Sequence, residues 1–194
     1  MRKATVKRKT NETDIIVELN LDGKGDYKIN TSIAFLDHML SLMTMHGMFD
    51  LKISGKGDIQ VDFHHLMEDI GISFGEAIAK AVGDKKGIQR YGHAVIPMDE
   101  SLAEVALDLS GRPYLMYKVK AHKGRVRDLE VSLFEDFFRA LSNHARMNTH
   151  IIMRHGRDLH HIYEAIFKAF GRALSGAVAK NAKRKGVPST KGKL

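Results

Sequence analysis

The chain carries one short pattern twice: two adjacent histidines followed by a glutamate. The copies are His64-His65-Leu66-Met67-Glu68 and His160-His161-Ile162-Tyr163-Glu164. On a helix, residues three and four apart lie on one face, so each glutamate can lie beside either histidine of its copy. Adjacent histidines point about 100° apart, so one pair chelates a single ion poorly but can offer one ligand to each of two ions. Two such pairs brought together would form a paired-metal centre.

The order of predicted elements around these patterns is also repeated. The first half reads as strands at 13–21 and 27–31, a helix at 33–48, strands at 50–54 and 59–62 around a turn at 55–57, and a helix at 64–81. The second half reads as strands at 102–109 and 114–119, a helix from about 129 toward 144, a strand at 148–153 and a helix at 160–180. This duplication is typical of two similar sheet-plus-helix layers related by a pseudo-twofold axis. We predict an α+β fold and one domain, 1–194, made of two repeats (about 1–92 and 93–180) and a basic tail at 181–194.

The chain has no cysteine, so any metal must be bound by imidazole and carboxylate, which favours Mn, Fe, Zn or Co. A single double-histidine pattern is more often structural or exposed, but two in matching register favour a metal. His38 and Asp136 occupy matching positions at the heads of the first and third predicted helices, and each can add a ligand. We expect the remaining histidines to be packing, supporting or surface residues: His46, His93, His122, His144, His150 and His155.

The formal net charge of +8 comes mainly from the two ends of the chain. Solvated basic termini and a phosphate-binding role explain this charge about equally well. Aromatic content is only 7%, with no tryptophan, so the chain offers no obvious platform for stacking bases and we expect no nucleic-acid partner. No signal peptide or membrane-length apolar run is present, which predicts a cytoplasmic protein with no membrane partner.

A second group of residues could bind phosphate. Cations and hydrogen-bond donors lie in predicted loops or on helix faces at Arg90, Arg112, Lys168, Ser189 and Lys191. Each alone is more often a surface feature, but together they can hold a phosphate by charge-assisted hydrogen bonds. The metal ligands alone leave the chemistry open, because such a centre can activate water, polarise a carbonyl or bind a substrate nitrogen.

Several longer motifs recur in this order along the chain: Thr10-Asn11-Glu12-Thr13, Phe35-Leu36-Asp37-His38, both histidine patterns, and the segments at 97–102, 111–114 and 188–192. With these motifs the chain resembles the imidazoleglycerol-phosphate dehydratase family over nearly its whole length. The resemblance implies a duplicated fold similar to domain 2 of ribosomal protein S5, with helices packed between or against two mixed sheets. It also implies two Mn²⁺ ions per active site, with other divalent metals possible, a small phosphorylated imidazole substrate, and a homo-oligomeric, 24-subunit shell with shared active sites.

The resemblance assigns roles to individual residues. It implies metal ligands at His38, His64, His65, Glu68, His160, His161 and Glu164, with Asp136 standing where many members have histidine. Substrate contacts are implied at Glu12, Arg90, Arg112, Lys168, Ser189 and Lys191. We expect Glu12 to handle protons, with Glu68 and Glu164 holding metal and sharing in proton transfer. Asp158 replaces a common asparagine, and both residue types suit a turn.

The implied reaction is the dehydration of imidazole glycerol phosphate to imidazole acetol phosphate in histidine biosynthesis. Cations on the ring nitrogens would favour an imidazolate, whose electrons expel the hydroxyl on the ring-attached carbon to leave a diazafulvene-type intermediate. The next proton then passes to a carboxylate, and the enol relaxes to the ketone. A dinuclear metallohydrolase and a basic RNA-binding or assembly protein are the alternatives.

Overall fold

The first half of the chain forms a four-stranded mixed sheet in this computed structural model, which describes residues 2–120 and 123–194. Its strands are β1 (Lys3–Lys9), β2 (Thr13–Asn20), β3 (Tyr27–Asn30) and β4 (Asp50–Gly57). They lie in the order β1-β2-β4-β3. Neighbours are antiparallel except β3, which runs parallel to β4. His122, expected at the surface, lies outside the described residues.

The second half repeats this sheet. Its strands are β5 (Tyr91–Met98), β6 (Ser101–Asp108), β7 (Tyr114–Lys118) and β10 (Asn148–His155), in the order β5-β6-β10-β7. The parallel pair is again the last one, between β7 and β10. A short hairpin of β8 (Arg125–Val126) and β9 (Leu129–Glu130) is inserted between β7 and the next helix. The duplicated sheet predicted from the order of elements is therefore confirmed.

In the part of the chain that the structure describes, four helices lie between the two sheets: α1 (Ala34–Gly47), α2 (His64–Val82), α3 (Leu133–Ala145) and α4 (Leu159–Val178). Each sheet is covered mainly by its own repeat's longer helix, α2 on β1 and β2 and α4 on β5 and β6. The helices also pack across the repeats, α1 against α4 and α2 against α3. Each helix pair therefore joins one helix from each repeat. No helix among the described residues is long and apolar enough to cross a bilayer.

The core follows from the pattern of each element. In β2 and β6 alternate residues are buried, as expected for strands with one face on a core. The helices of the second repeat add a cluster of buried rings at Phe134, Phe137, Phe138, Tyr163, Phe167 and Phe170. The Tyr163 hydroxyl donates to the Val131 carbonyl oxygen at 3.1 Å, and burial raises the pKa of Tyr163 to about 12.

The predicted turn at 55–57 and strand at 59–62 are wrong. Strand β4 runs without a break to Gly57, and the chain then turns into α2. Both glycines pack against α2: a Cβ on Gly57 would be tight, 3.2 Å from the Leu66 Cβ atom, whereas one on Gly55 would make ordinary contact, 3.4 Å from the Ile70 Cδ1 atom. Two glycines that look like a turn in the sequence are instead strand residues that face α2.

Two edge strands, β1 and β5, are not predicted by the sequence pattern. Strand β1 reads as a basic terminus because its charged side chains outnumber its single buried residue, Val6. Strand β5 mixes buried small residues with an exposed tyrosine and histidine, so its alternation is weak. Both strands lie at the edge of a sheet, where only one neighbour constrains the side chains.

Candidate functional site

The first group of candidate ligands forms where α1 crosses α4. We call His38, His160 and Glu164 the α1–α4 half-site. Nε2 of His38 lies 3.0 Å and Nε2 of His160 lies 3.1 Å from the same oxygen, Oε1 of Glu164. His160 and Glu164 are one turn apart on α4, as their spacing predicts, whereas His38 comes from the other repeat. One potential ligand atom of each residue lies within 4.8 Å of the other two.

The matching group forms where α2 crosses α3. We call His64, Glu68 and Asp136 the α2–α3 half-site. Nε2 of His64 lies 3.6 Å from Oε2 of Glu68, and Nδ1 of His64 lies 3.9 Å from Oδ2 of Asp136. Asp136 therefore lies beside His64, but Asp136 and Glu68 approach opposite ring nitrogens of that histidine, and the spacing is wider than in the α1–α4 half-site.

Asp136 is the counterpart of His38 in three dimensions as well as in sequence. Each residue lies ten positions before the left-handed residue that ends its helix, Met48 for α1 and Arg146 for α3. The two helices therefore share one register, and a carboxylate in one half-site occupies the place that an imidazole takes in the other.

The second histidine of each pair points away from the half-site and toward a carboxylate. Nδ1 of His65 lies 3.0 Å from Oδ2 of Asp58 and 3.8 Å from Oε2 of Glu12. Nδ1 of His161 lies 2.8 Å from Oε2 of Glu100. Hydrogen bonding to the carboxylate raises the pKa of each of these histidines. The bond also leaves Nε2 as the ring nitrogen available to a metal.

The sequence reasoning missed the roles of Asp58 and Glu100. Glu100 could have been found, because it directly precedes β6 as Glu12 directly precedes β2. Its carboxylate accepts hydrogen bonds from the backbone N–H of Asp158 and from His161, which hold the pKa of Glu100 well below its usual value. Asp58 gave no signal, because it lies between the segments misread as a turn and a strand.

Lys168 adds charge to the α1–α4 half-site. Its Nζ atom donates to Oε2 of Glu164 at 2.6 Å. Burial alone would raise the pKa of Glu164, but the hydrogen bonds from Lys168 and His38 outweigh it and lower that pKa to about 2. Glu164 is therefore ionised throughout the physiological range, as a metal ligand must be.

The other predicted phosphate contacts share a separate cleft of about 680 Å³ formed by the tail. It is lined by Arg90, Arg112, Ser189 and Lys191, together with the further cations Arg184 and Lys193. Arg90 is already engaged: its Nε and Nη2 atoms donate to Asp108 at 2.6 and 3.0 Å, and Nη1 donates to the Pro188 carbonyl oxygen at 2.9 Å. Arg90 therefore fastens the tail as well as adding charge to the cleft.

One chain does not bring all of these residues together. Among the described residues, no group of three or more close candidate ligands includes residues from both histidine pairs. Lys168 lines another cleft, with His46, His93 and Arg172, and is absent from the lining of the tail cleft. The donors themselves suit a divalent ion, because imidazole nitrogens and ionised carboxylates are what such ions prefer in the absence of cysteine. Three donors per group leave further coordination positions to be filled.

The comparisons with known proteins agree on one family. The family model described as imidazoleglycerol-phosphate dehydratase matches residues 31–174. The chain is 58% identical over 195 residues to the imidazoleglycerol-phosphate dehydratase of Heliobacterium modesticaldum, covering 100% of both chains. It is 56% identical over 192 residues to that of Thermodesulfovibrio yellowstonii, covering 99% of both.

Solved structures give the same result. The crystal structure of imidazoleglycerol-phosphate dehydratase from Staphylococcus aureus is 41% identical, with a TM-score of 0.83, and the match covers 92% of this chain and 99% of that one. The enzyme from Pyrococcus furiosus is 38% identical, with a TM-score of 0.84, and the match covers 97% of this chain and 100% of that one.

Proposed function

The chain belongs to the imidazoleglycerol-phosphate dehydratase family, and from this premise we propose how its residues serve the reaction. It is a lyase that dehydrates imidazole glycerol phosphate to imidazole acetol phosphate in histidine biosynthesis. Membership of this family therefore supports the dehydratase and not the two alternatives, a dinuclear metallohydrolase and a basic RNA-binding or assembly protein. The strongest support for the site is that both histidine–glutamate patterns meet their predicted partners, His38 in one half-site and Asp136 in the other.

We propose that the ligands hold two divalent ions per active site, with Mn²⁺ as the first candidate. His64 and His160 serve the half-sites of their own chain, while His65 and His161 diverge from them. The ring centroids within each pair are 6.2 and 6.3 Å apart and the ring planes are nearly perpendicular. Because the second ring of each pair faces away, its Nε2 is placed to serve an ion held by another subunit.

This divergence supports a homo-oligomer in which active sites are shared, consistent with a 24-subunit shell. Every element of the site is incomplete within one chain: two separate half-sites, two outward histidines and a basic cleft. Symmetric assembly can bring such pieces together at interfaces, because each subunit presents the same surfaces in fixed relative positions. A metal that bridges subunits would also stabilise the assembly.

We propose that the tail cleft binds the substrate phosphate. Arg112 and Lys191 supply charge, Ser189 supplies a hydroxyl, and Arg90 fixes the tail through Pro188 while adding its own positive field. Lys168 lies beside Glu164 and is placed for the reacting end of the substrate rather than for this cleft. Phosphate bound at one end and imidazole at the other would hold the glycerol carbons in a fixed orientation between them.

Glu12 is the proposed proton carrier. Its carboxylate is half-exposed and lies 3.8 Å from His65, so it is near the candidate ligands while still open to substrate. Bound divalent ions supply positive charge that favours an ionised imidazole ring on the substrate. The hydroxide that leaves the ring-attached carbon takes up the proton that the ring has lost and departs as water. Glu12 then takes the proton from the neighbouring carbon and returns it as the ring is reprotonated, and the enol becomes the ketone. Glu68 and Glu164 hold the ions and are close enough to share in proton transfer.

Glu12→Gln tests this role. The amide keeps the size of the side chain but cannot accept the proton, so we expect turnover to fall by roughly 10²- to 10⁴-fold. Metal analysis should still find two ions per active site. Glu18→Gln, which changes an exposed carboxylate on β2 that pairs with Lys52 on the neighbouring strand β4, should keep full activity. Near-normal turnover in Glu12→Gln with two bound ions would rule out this assignment.

A further inference from the structure

Helix α2 presents two pairs of residues four apart, and only one pair belongs to a half-site. His64 and Glu68 face Asp136. His65 and Asp69, one position further on, face the turn between β1 and β2 that carries Glu12. His65 lies beside the Glu12 carboxylate, and Asp69 hydrogen-bonds to Thr13 at the base of the same turn. Asp69 has no role in the function proposed above.

Asp69 is a buried carboxylate, with 8% of the residue exposed. Its Oδ1 atom accepts a hydrogen bond from Nε of Arg8 at 2.8 Å, and its Oδ2 atom accepts one from the Thr13 hydroxyl at 2.5 Å. A buried charge is costly unless it is paired and hydrogen-bonded, so these bonds fix the carboxylate between β1 and β2.

The bonds continue from Thr13 to the backbone of Glu12. The hydroxyl of Thr13 is used as a donor to Asp69, so the 3.1 Å contact between the two threonine hydroxyls is donated by Thr10. The Thr10 hydroxyl oxygen accepts the N–H of Glu12 at 3.1 Å and that of Thr13 at 2.9 Å. The Glu12 carbonyl oxygen accepts the Asp58 N–H at 3.1 Å. Both backbone polar groups of Glu12 are thus held, while its side chain is 54% exposed.

The second repeat shows that this network is not a general requirement of the fold. One turn after His161, where α2 has Asp69, α4 has the buried residue Ala165. The turn between β5 and β6 is held differently, because Glu100 accepts hydrogen bonds with its own carboxylate from His161 and from the backbone N–H of Asp158. The carboxylate before β6 is therefore immobilised by hydrogen bonds. The carboxylate before β2 is half-exposed and lies 3.8 Å from His65, and the backbone of Glu12 is immobilised instead.

We propose that Asp69 is a positioning residue for the dehydration: through Thr13 and Thr10 it fixes the backbone of Glu12 so that the Glu12 carboxylate meets the substrate. This inference rests on the proton-transfer role proposed for Glu12. Because Asp69 contacts neither the half-sites nor the tail cleft, its loss should slow the chemical step while leaving metal binding and substrate binding unchanged.

Thr13→Val is the first test, because it removes the hydroxyl and keeps the shape. We expect kcat to fall by about 10- to 100-fold, since a misplacement of about 1 Å can have an effect of this size, with KM within about twofold of wild type. Metal content should not change. Thr13→Ser restores the hydroxyl and should return kcat to near the wild-type value, which loss of packing alone would not. Asp14→Asn, at an exposed position on β2 paired with Lys9, is the matched control and should leave kcat unchanged.

Thr10→Val against Thr10→Ser gives a second pair in case Thr13→Val does not fold. Thr10 is exposed, so its loss releases the Glu12 N–H without disturbing the buried Asp69–Arg8 pair. Wild-type kcat in both valine variants, or an equal loss in the valine and serine variants, would overturn the positioning role. Glu12→Gln measured in parallel separates the two proposals. If it is inactive while the valine variants are fully active, only the positioning role fails; if it is active, the role of Glu12 fails first and the positioning role with it.

Discussion

The two adjacent histidines of each pair contact different groups, because neighbouring side chains on a helix point in different directions. In each pair the first ring joins the glutamate four residues later and a residue from the other repeat. The second ring, rotated by about 100°, meets a carboxylate from a loop, Asp58 in one repeat and Glu100 in the other. The loop carboxylate occupies Nδ1 and so leaves Nε2 as the ring nitrogen open to a metal.

Asp136 is the residue at which the two half-sites differ most. Its carboxylate lies 3.9 Å from His64, whereas His38 lies 3.0 Å from Glu164. We expect Asp136→Ala to weaken one of two classes of bound metal by roughly 10- to 100-fold, because the half-site loses a donor. Asp136→His should retain tight binding at both classes. Titration of the metal-free protein with Mn²⁺ against a competing chelator measures both affinities.

Glu135→Gln is the control for this experiment, since Glu135 is the preceding residue of α3 and pairs with Arg139 on the helix surface. It should bind metal as the wild type does. If Asp136→Ala also binds two ions with unchanged affinities, then Asp136 is not a ligand and the α2–α3 half-site consists of His64 and Glu68 alone.

At the scale of helices, small residues decide how closely the half-site partners meet. Gly75 on α2 and Gly171 on α4 each lie two turns after the glutamate of their pattern, on the same face. A Cβ on Gly75 would lie 2.5 Å from the Leu141 carbonyl oxygen of α3, and one on Gly171 would overlap the Met43 carbonyl oxygen of α1. The close crossing that these glycines permit brings His38 and Asp136 to the histidine pairs.

Gly171→Ala should therefore destabilise the fold. Overpacking of this kind typically costs about 1–3 kcal/mol, and the added methyl would meet backbone, which cannot rotate away. Gly176→Ala on the same helix is the matched control, because the nearest atom to its added Cβ is 3.7 Å away. It should be neutral or stabilise by up to about 1 kcal/mol through reduced backbone entropy in the unfolded chain.

Denaturant unfolding of the two variants and the wild type, followed by circular dichroism at one protein concentration, gives the comparison. Gly171→Ala should also lower metal affinity, because α1 carries His38 away from Glu164 as the helices separate. Equal stability of Gly171→Ala and Gly176→Ala would show that the α1–α4 crossing can relax without cost.

For the whole molecule, the prediction concerns active sites assembled from different subunits. His64→Ala damages the α2–α3 half-site and His160→Ala damages the α1–α4 half-site. Each variant alone should be inactive. In particles that contain both variants in equal amounts and at random, half of the subunits keep an intact α2–α3 half-site and the other half keep an intact α1–α4 half-site. About a quarter of the sites should then combine one intact half-site of each kind from two different subunits. Co-expression with two affinity tags, purification through both tags and measurement of turnover would test this.

The control pairs two variants with damage in the same half-site, His38→Ala and His160→Ala. No subunit in that mixture has an intact α1–α4 half-site, so activity should not return. Light scattering should show mixed particles of the same mass in both cases. Mixed His64→Ala and His160→Ala particles that stay inactive would show that each site takes both half-sites from one subunit.

The sequence by itself determined the features that depend on neighbouring residues. The four helices, the duplication and the ligand pairs four residues apart all follow from hydrophobic period and side-chain spacing, which are local properties. The same reasoning failed where local signals mislead: Gly55 and Gly57 read as a turn because their packing partner, α2, cannot be seen in the strand's own sequence. Strand β1 was not predicted because most of its residues are charged and only one, Val6, is buried.

The tertiary structure decided which elements meet. Nothing in the local sequence states that α1 crosses α4 rather than α2, yet that crossing places His38 beside Glu164. The partners of the second histidines, Asp58 and Glu100, and the bonds that occupy Arg90 are likewise contacts between distant parts of the chain. Such contacts are set by how whole faces of helices and sheets pack together, so the residue types of the site are visible in the sequence while its geometry is not.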